Sequence, residues 1–312
     1  MTIKKILVGI DFSEHSEVAL AQALDLASQF GAEVVLAHAG VVPDPAIELS
    51  PSLEVDASDW HQMLSGDVQR KREILTSLGE RHERRGVTIS HRFIDDFPDS
   101  GLVKTAEEQG ADLVVVGSRG NTGLKRFVLG SVAERVVRHF GGHVMVARST
   151  QPTQRGFGRL LVPTDFSERA GNALDLAADL IAPDGTIEVL HCWQLPPMAT
   201  TYGIARAEGT APGTLPYDIR TRIDTVAESV LAPYRERGLN IEFRRVEGPP
   251  TSAITEVASE GSYDAIVMGS HGRRGVRRFL LGSVAETTVR YAPTSVLVAH
   301  ARAGEAPPRS EP

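Results

Sequence analysis

The 312-residue chain is predicted to be an α/β protein made of two tandem domains, each on its own open five-stranded parallel sheet. The first observation behind this is a repeat: Gly, two residues, Gly, nine residues, Gly-Ser occurs at Gly117, Gly120, Gly130, Ser131 and again at Gly269, Gly272, Gly282, Ser283, every position at one offset of 152 residues. KKILVGIDFSEHSEVAL from Lys4 likewise matches GRLLVPTDFSERAGNAL from Gly158, and FVLGSVAERVVR from Phe127 matches FLLGSVAETTVR from Phe279. A period this long signals duplicated domains rather than a solenoid. The second observation is that apolar β-rich runs alternate with amphipathic helical stretches in both halves. The third is that the strand cores ILVGI, EVVLAH, DLVVVG and HVMVA are continuously apolar. Strands covered on both faces by helices read this way.

Taken in order, strands are expected near 4–10, 33–38, 87–94, 112–116 and 143–147 in the first half, with counterparts near 159–163, 186–191, 241–246, 264–268 and 295–299. The first helix of each half starts after an Asp-Phe-Ser step, with Ser13 and Ser167 as N-caps and Glu14 and Glu168 complementing the positive helix end. Leu20, Ala23, Leu24 and Ala27 follow helical spacing, as do Ala170, Ala173, Leu174, Ala177 and Ala178, and these are core faces. Domains are expected over 1–150 and 157–302, joined by a breaker-rich linker around 149–158, with a disordered tail over 303–312. Two proline-containing insertions, about 40–58 and 194–216, lack periodicity and read as flexible flaps.

Composition narrows the function. A net charge of −7 argues against nucleic acid as the main partner, because no overall basic field attracts phosphates. No apolar stretch approaches the roughly 20 residues that span a bilayer. The apolar run after Lys4 and Lys5 stops at Asp11, short of a signal peptide. A soluble, cytoplasmic protein without membrane contact is expected. The single cysteine, Cys192, forms no intrachain disulfide, which fits a reducing compartment.

The glycines point to a phosphate. Gly117 and Gly269 follow directly on a buried strand, at the carboxyl edge where open α/β sheets bind ligands. Absent side chains at Gly117 and Gly120 let backbone approach a ribose or phosphate. The chain then returns at Gly130-Ser131 just before a helix, whose N-terminal N–H groups carry about half a positive charge and attract anions. The intervening loops hold Arg119, Lys125 and Arg126 in the first half, and His271, Arg273, Arg274, Arg277 and Arg278 in the second. Any one of these cations reads equally well as a solvated face. Phe127, Val128, Leu129 and Phe279, Leu280, Leu281 read as loop anchors in the core rather than base-stacking groups.

Asp11 and Asp165 end the first strand of each half beside these loops. A carboxylate repels phosphate but accepts hydrogen bonds from ribose hydroxyls or an exocyclic amine, which places a nucleoside there. The competing reading is an Asp that starts a turn or caps the following helix. His38 and His191 at strand ends lack a Cys or carboxylate at ligand spacing, so no metal site is expected. Cys192 reads as an inert buried thiol rather than an oxidation sensor.

GIDFS and PTDFS after the first strand, LAHA and VLHC at the second, and GSRG…LGSVAE and GSHG…LGSVAE after the fourth resemble the universal stress protein family, as a tandem member of its ATP-binding branch. The resemblance covers nearly the whole chain except insertions, linker and tail. It implies Rossmann-like domains of adenine nucleotide α-hydrolase-like type and an ATP or ADP ligand, with Mg as the nucleotide's companion. It further implies that Asp11 and Asp165 contact the nucleoside, with Pro163 and Thr164 alongside in the second half. Ala39 and Cys192 would present backbone groups to adenine, and Val116 and Met268 would pack on the ribose. Gly117, Gly120, Gly130, Ser131 and Val132, and Gly269, Gly272, Gly282, Ser283 and Val284, would hold phosphates. Gly9 stands where the second half has Pro163, which is expected to loosen the first adenine wall. Family members pair through their last strands, so HVMVAR and TSVLVAH imply an intramolecular pseudo-dimer, with association of whole chains as a homodimer left open.

The function this implies is a stress-response protein in which bound nucleotide regulates interactions with an unknown protein partner. Two alternatives stand beside it: a slow ATPase or autophosphorylating enzyme, with Ser131 or Ser283 concerned, and a nucleotide-free interaction scaffold. The Walker pattern is missing and no nucleophile–base pair is compelling, so no catalytic residue is assigned.

Overall fold

The structure, a computed structural model, describes residues 3–40, 57–83, 86–120, 129–148, 156–194, 217–270 and 281–300. The chain divides into two compact units, Thr2–Pro152 and Thr153–Pro312. Both are α/β.

The first unit runs β1 (Lys5–Gly9), α1 (Glu14–Phe30), β2 (Glu33–Ala39), α2 (Ala57–Glu83), β3 (Ile89–Ile94), α3 (Pro98–Glu108), β4 (Leu113–Gly117), α4 (Ser131–His139) and β5 (His143–Ala147). Its strands pair in parallel in the order β3-β2-β1-β4-β5. Chain order reverses at β1, with β2 on one side and β4 on the other, so the carboxyl ends of β1 and β4 open into a crevice of the kind that binds ligands in open sheets. The continuous apolar runs behave as their composition requires, with Ile6, Leu7, Val8, Val34 to Ala37 and Leu113 to Val115 fully buried. α1 covers them with Leu20, Ala23, Leu24 and Ala27. It ends at Gly31, whose φ of 64° supplies the left-handed C-cap and donates to Ala27 O.

The second unit runs β6 (Phe157–Pro163), α5 (Glu168–Leu180), β7 (Ile181–Trp193), α6 (Tyr217–Glu236), β8 (Asn240–Glu247), α7 (Pro250–Glu260), β9 (Ala265–Gly269), α8 (Ser283–Tyr291) and β10 (Ser295–Ala299). Its parallel order is β8-β7-β6-β9-β10. Ala170, Ala173, Leu174, Ala177 and Ala178 are all buried.

Two boundaries differ from expectation. β7 begins at Ile181 instead of 186 because Pro183 disfavours helical backbone at Ala182, so α5 passes directly into an extended segment whose register jumps between Phe157↔Ile181 and Arg159↔Thr186. β6 begins at Phe157, inside the expected linker, because Gly158 N and Arg159 N donate to Asp264 Oδ2 at 2.6 and 2.9 Å. Asp112 does the same for Lys4 N and Lys5 N at 2.8 and 3.1 Å. A carboxylate before the fourth strand of each unit thus anchors the start of the first. The insertions, apart from their ends, and the tail lie outside the described residues.

The second unit also buries a charge. Glu188 stands three residues before His191, where the first unit has Val35 before His38. It is 4% exposed and accepts from Tyr263 Oη and Arg159 Nη2, each at 2.7 Å, with Arg244 Nη1 at 3.7 Å. Burial pushes its pKa up and is the largest single effect, but the bonds from Tyr263 and Arg159 and the charges of Arg159 and Arg244 outweigh it and hold the carboxyl below its ordinary value.

Candidate functional site

In the first unit the site is built where β1 stops. After Gly9 the chain turns through Ile10, Asp11 and Phe12, and Phe12 takes a left-handed φ of 62°, uncommon for any residue but glycine. The turn delivers Ser13 as the N-cap of α1, its hydroxyl accepting from Ser16 N at 3.2 Å. Asp11 Oδ1 accepts from Ser13 N at 3.1 Å and from Ser13 Oγ at 2.5 Å. One carboxylate oxygen therefore does take the turn-forming role. The other, Oδ2, faces the glycine segment: a Cβ on Gly120 would lie 2.7 Å from it.

The second unit repeats this closely. Phe166 has φ of 59°, Ser167 caps α5 by accepting from Ala170 N at 3.3 Å, and Asp165 Oδ1 accepts from Ser167 N and Oγ at 3.0 and 2.6 Å. Thr164 adds a hydroxyl that accepts from Phe166 N at 2.9 Å.

The glycines divide by what the protein itself needs from them. A Cβ on Gly117 would sit 2.8 Å from both C and O of His15, so α1 packs on this glycine and the absent side chain serves helix–strand approach. Gly120 makes room for Asp11. Gly130 differs: its φ of −63° and ψ of 144° are ordinary for any residue, and a Cβ would make ordinary contacts with Arg119 Cα at 3.5 Å, Ser118 O at 3.6 Å and Arg119 C at 3.8 Å. Among the described residues, no close contact requires a glycine there. Its N–H is not open, however, because it donates to Ser118 O at 3.0 Å, and Gly282 N donates likewise to Ser270 O at 2.8 Å. The amides that open the two helices are those of the first helical turn, at Ser131 and Val132 in α4 and Ser283 and Val284 in α8. Neither cap supplies a side-chain acceptor for them, in contrast to Ser13 and Ser167. Ser131 and Ser283 are exposed.

Ala39 ends β2, Cys192 lies near the end of β7, and Val116 and Met268 are buried next to Gly117 and Gly269. Pro163 ends β6 half-buried. At Gly9 a Cβ would lie 3.1 Å from Leu102 Cδ1 and 3.1 Å from Val116 Cγ1, so neighbouring side chains occupy the room beside it. Leu129 and Leu281 are buried as anchors. Gly272, Lys125, Arg126, Phe127, Val128, His271, Arg273, Arg274, Arg277, Arg278, Phe279 and Leu280 lie outside the described residues. Burial pushes the Cys192 thiol up to about 11, which keeps it protonated at neutral pH.

Sequence reasoning missed two features. Arg148 follows β5 at the same edge, and Ser118 N donating to Ala147 O at 3.1 Å sets the Ser118-Arg119 step beside it. Burial first, then the Arg119 charge, lowers its pKa to about 10. A cation immediately after the last strand was the available signal. The second feature is the role of the histidines. His38 Nδ1 lies 2.7 Å from Ile10 O and His191 Nδ1 lies 2.9 Å from Thr164 O, so each imidazole holds the turn. Burial, the largest effect, lowers the pKa of His38 despite that bond, with the Lys71 charge acting the same way. Among the described residues, no group of three His, Cys, Asp or Glu is placed to hold a metal ion, and no helix is long and apolar enough to cross a membrane.

Residues 2–148 and 156–300 each match the model of the Universal stress protein family. A universal stress protein of Mycolicibacterium smegmatis is 29% identical over 309 residues, 95% of this chain and 97% of its own length. One from Methanocaldococcus jannaschii is 32% identical over 146 residues, 46% of this chain and 82% of its own length. Among solved structures, a universal stress protein from Archaeoglobus fulgidus DSM 4304 covers 95% of this chain and 98% of its own with a TM-score of 0.66. At 24% identity that likeness is one of fold.

Proposed function

The chain belongs to the universal stress protein family as a tandem member, and from that premise we propose that it binds ATP or a related adenine nucleotide in one or both units and acts as a nucleotide-dependent regulatory or interaction module. One observation carries the reading: α4 and α8 both start at a glycine of ordinary backbone conformation that leaves the first-turn amides without a side-chain cap. Ser, Asp or Asn would give a helix start there a side-chain acceptor and stabilise it by about a few tenths of a kcal/mol over glycine, and in the same units Ser13 and Ser167 supply such an acceptor. A site that forgoes this leaves its amides and positive helix end to an outside anion.

In this reading the polyphosphate lies at Gly130-Ser131-Val132 and Gly282-Ser283-Val284, reached from Gly117 and Gly120 and from Gly269 and Gly272. Asp11 and Asp165 face the nucleoside, with Pro163 and Thr164 beside it. Ala39 and Cys192 present backbone to the base, and Val116 and Met268 back the ribose. Mg accompanies the nucleotide on its phosphates. The units correspond to functional domains over 1–150 and 157–302, with 303–312 as a tail. The protein works in the cytoplasm as a binding protein rather than an enzyme, its halves paired through HVMVAR and TSVLVAH as a pseudo-dimer. Light scattering then returns the mass of one chain, or of two where chains associate, and ATP incubation releases no phosphate above background.

The deciding experiment is calorimetric titration of the whole chain with ATP beside Gly130→Ala/Gly282→Ala. The Gly130 backbone and its described surroundings admit a methyl group, so the poorer N-caps lower the melting temperature by only about 2–4 °C, while affinity falls by about tenfold or more, equivalent to about 1.4 kcal/mol. A wild-type chain that binds no adenine nucleotide, or a variant that binds as tightly as wild type, overturns the reading.

A further inference from the structure

One imidazole in each unit touches both flanks of the site aspartate. In the first unit His38 is buried at the end of β2, with Nδ1 at 2.7 Å from the carbonyl oxygen of Ile10, the residue before Asp11. The same ring lies 4.7 Å, centroid to centroid, from Phe12, the residue after Asp11, and 5.4 Å from Phe93 of β3 behind it. In the second unit His191 Nδ1 is 2.9 Å from Thr164 O, its ring is 4.7 Å from Phe166, and Phe166 lies 6.2 Å from Phe243 of β8. A carbonyl oxygen only accepts, so Nδ1 carries the hydrogen in both units.

Among the described residues, the two phenylalanines are the non-glycine positions with left-handed backbone, at φ of 62° and 59°. Such a residue is strained and persists only where its surroundings over-determine it. Glycine at either position would make the same turn without strain. The chain instead places, twice, a ring that packs against the histidine in a tilted pair, at 43° and 32° between ring planes. What the clamp fixes is the carboxylate: Oδ1 is tied to the Ser13 or Ser167 amide and hydroxyl, and in the first unit Oδ2 is aimed at Gly120.

We infer that His38 and His191, each with the phenylalanine packed against it, are positioning residues that pre-orient Asp11 and Asp165 as acceptors for a hydrogen-bond donor of the nucleoside, and so set preference for nucleotides that carry that donor. The inference rests on the nucleotide reading above. An acceptor held in its bound pose before the ligand arrives spares the ordering cost of binding, so the contribution appears only with ligands that engage the carboxylate. The polyphosphate end is untouched by it.

The test uses the whole chain and three nucleotides: ATP, 2′,3′-dideoxy-ATP, which lacks the ribose donors, and inosine triphosphate, which lacks the exocyclic amine. Wild type favours ATP over at least one of the two analogues. His38→Leu/His191→Leu, which keeps bulk but donates nothing, loses that preference, with ATP affinity falling by about tenfold while affinity for the disfavoured analogue holds. His38→Asn/His191→Asn, whose amide nitrogen stands in for Nδ1, restores the preference to within about threefold. Phe12→Gly/Phe166→Gly folds without the strain and loses the preference as the leucine variant does, which decides the matter should leucine compromise folding. Variants that keep the wild-type preference, or that weaken all three nucleotides equally, overturn the inference alone. A wild-type chain that binds none of them overturns the nucleotide reading and this inference with it.

Discussion

Alanine at Gly117 would place a methyl group 2.8 Å from the carbonyl carbon and oxygen of His15 and 2.9 Å from its Cβ. Carbon contacts settle at about 3.5–4.0 Å, so the first turn of α1 must retreat by roughly 0.7–1.2 Å. The helix has little freedom to do so. Its inner face, Ala19, Leu20, Ala23, Leu24, Leu26 and Ala27, is buried to 3% exposure or less against the sheet. Overpacking of this kind costs about 1–3 kcal/mol. For a unit of about 150 residues each kcal/mol moves the melting temperature by about 2–4 °C, so a mid-range penalty of about 2 kcal/mol lowers it by roughly 4–8 °C. Differential scanning calorimetry of nucleotide-free wild type and Gly117→Ala reads this directly. The result that refutes the reasoning is an unchanged melting temperature with nucleotide binding lost, because the glycine would then serve the ligand and not the helix.

Glu188→Gln should be less stable than wild type at pH 7 by about 2 kcal/mol, below the range for fully buried pairs because Arg159 is 43% exposed and rehydrates. The folded carboxyl lies below its ordinary value of about 4.3, so its stabilisation is present above that pH and lost as pH falls through the folded value. Urea midpoints of the two proteins should therefore converge on acidification, and a gap constant from pH 7 to pH 3 would contradict this. Ser13→Ala and Ser167→Ala each remove a helix cap and a partner of the site aspartate, lowering stability by about 1 kcal/mol in urea titration. Cys192, with its thiol pushed up to about 11, should react with iodoacetamide at pH 7.5 about two orders of magnitude more slowly than an ordinary thiol, and labelling at the ordinary rate would show it more open than its burial indicates.

What the sequence determined by itself is what local pattern carries. Continuous apolar runs fixed which segments become doubly covered strands, helical spacing fixed the inner faces of α1 and α5, and Asp-Phe-Ser fixed where both helices start, because capping is settled within four residues. The 152-residue offset showed that one design was used twice. Only the tertiary structure decided what each conserved-looking pattern element is for within the repeat, since that depends on residues distant in the chain. Gly117 turned out to answer to His15, Gly120 to Asp11, and Gly9 to Leu102 and Val116, while at Gly130 a Cβ would make only ordinary contacts with the described residues, at 3.5 Å or more. His38, read along the chain as a strand-end histidine without metal partners, became the support of a turn 28 residues earlier because β2 lies beside β1. A glycine or histidine announces that backbone needs room or that a polar group needs a partner. Which group supplies that need is written in the packing of elements far apart in sequence.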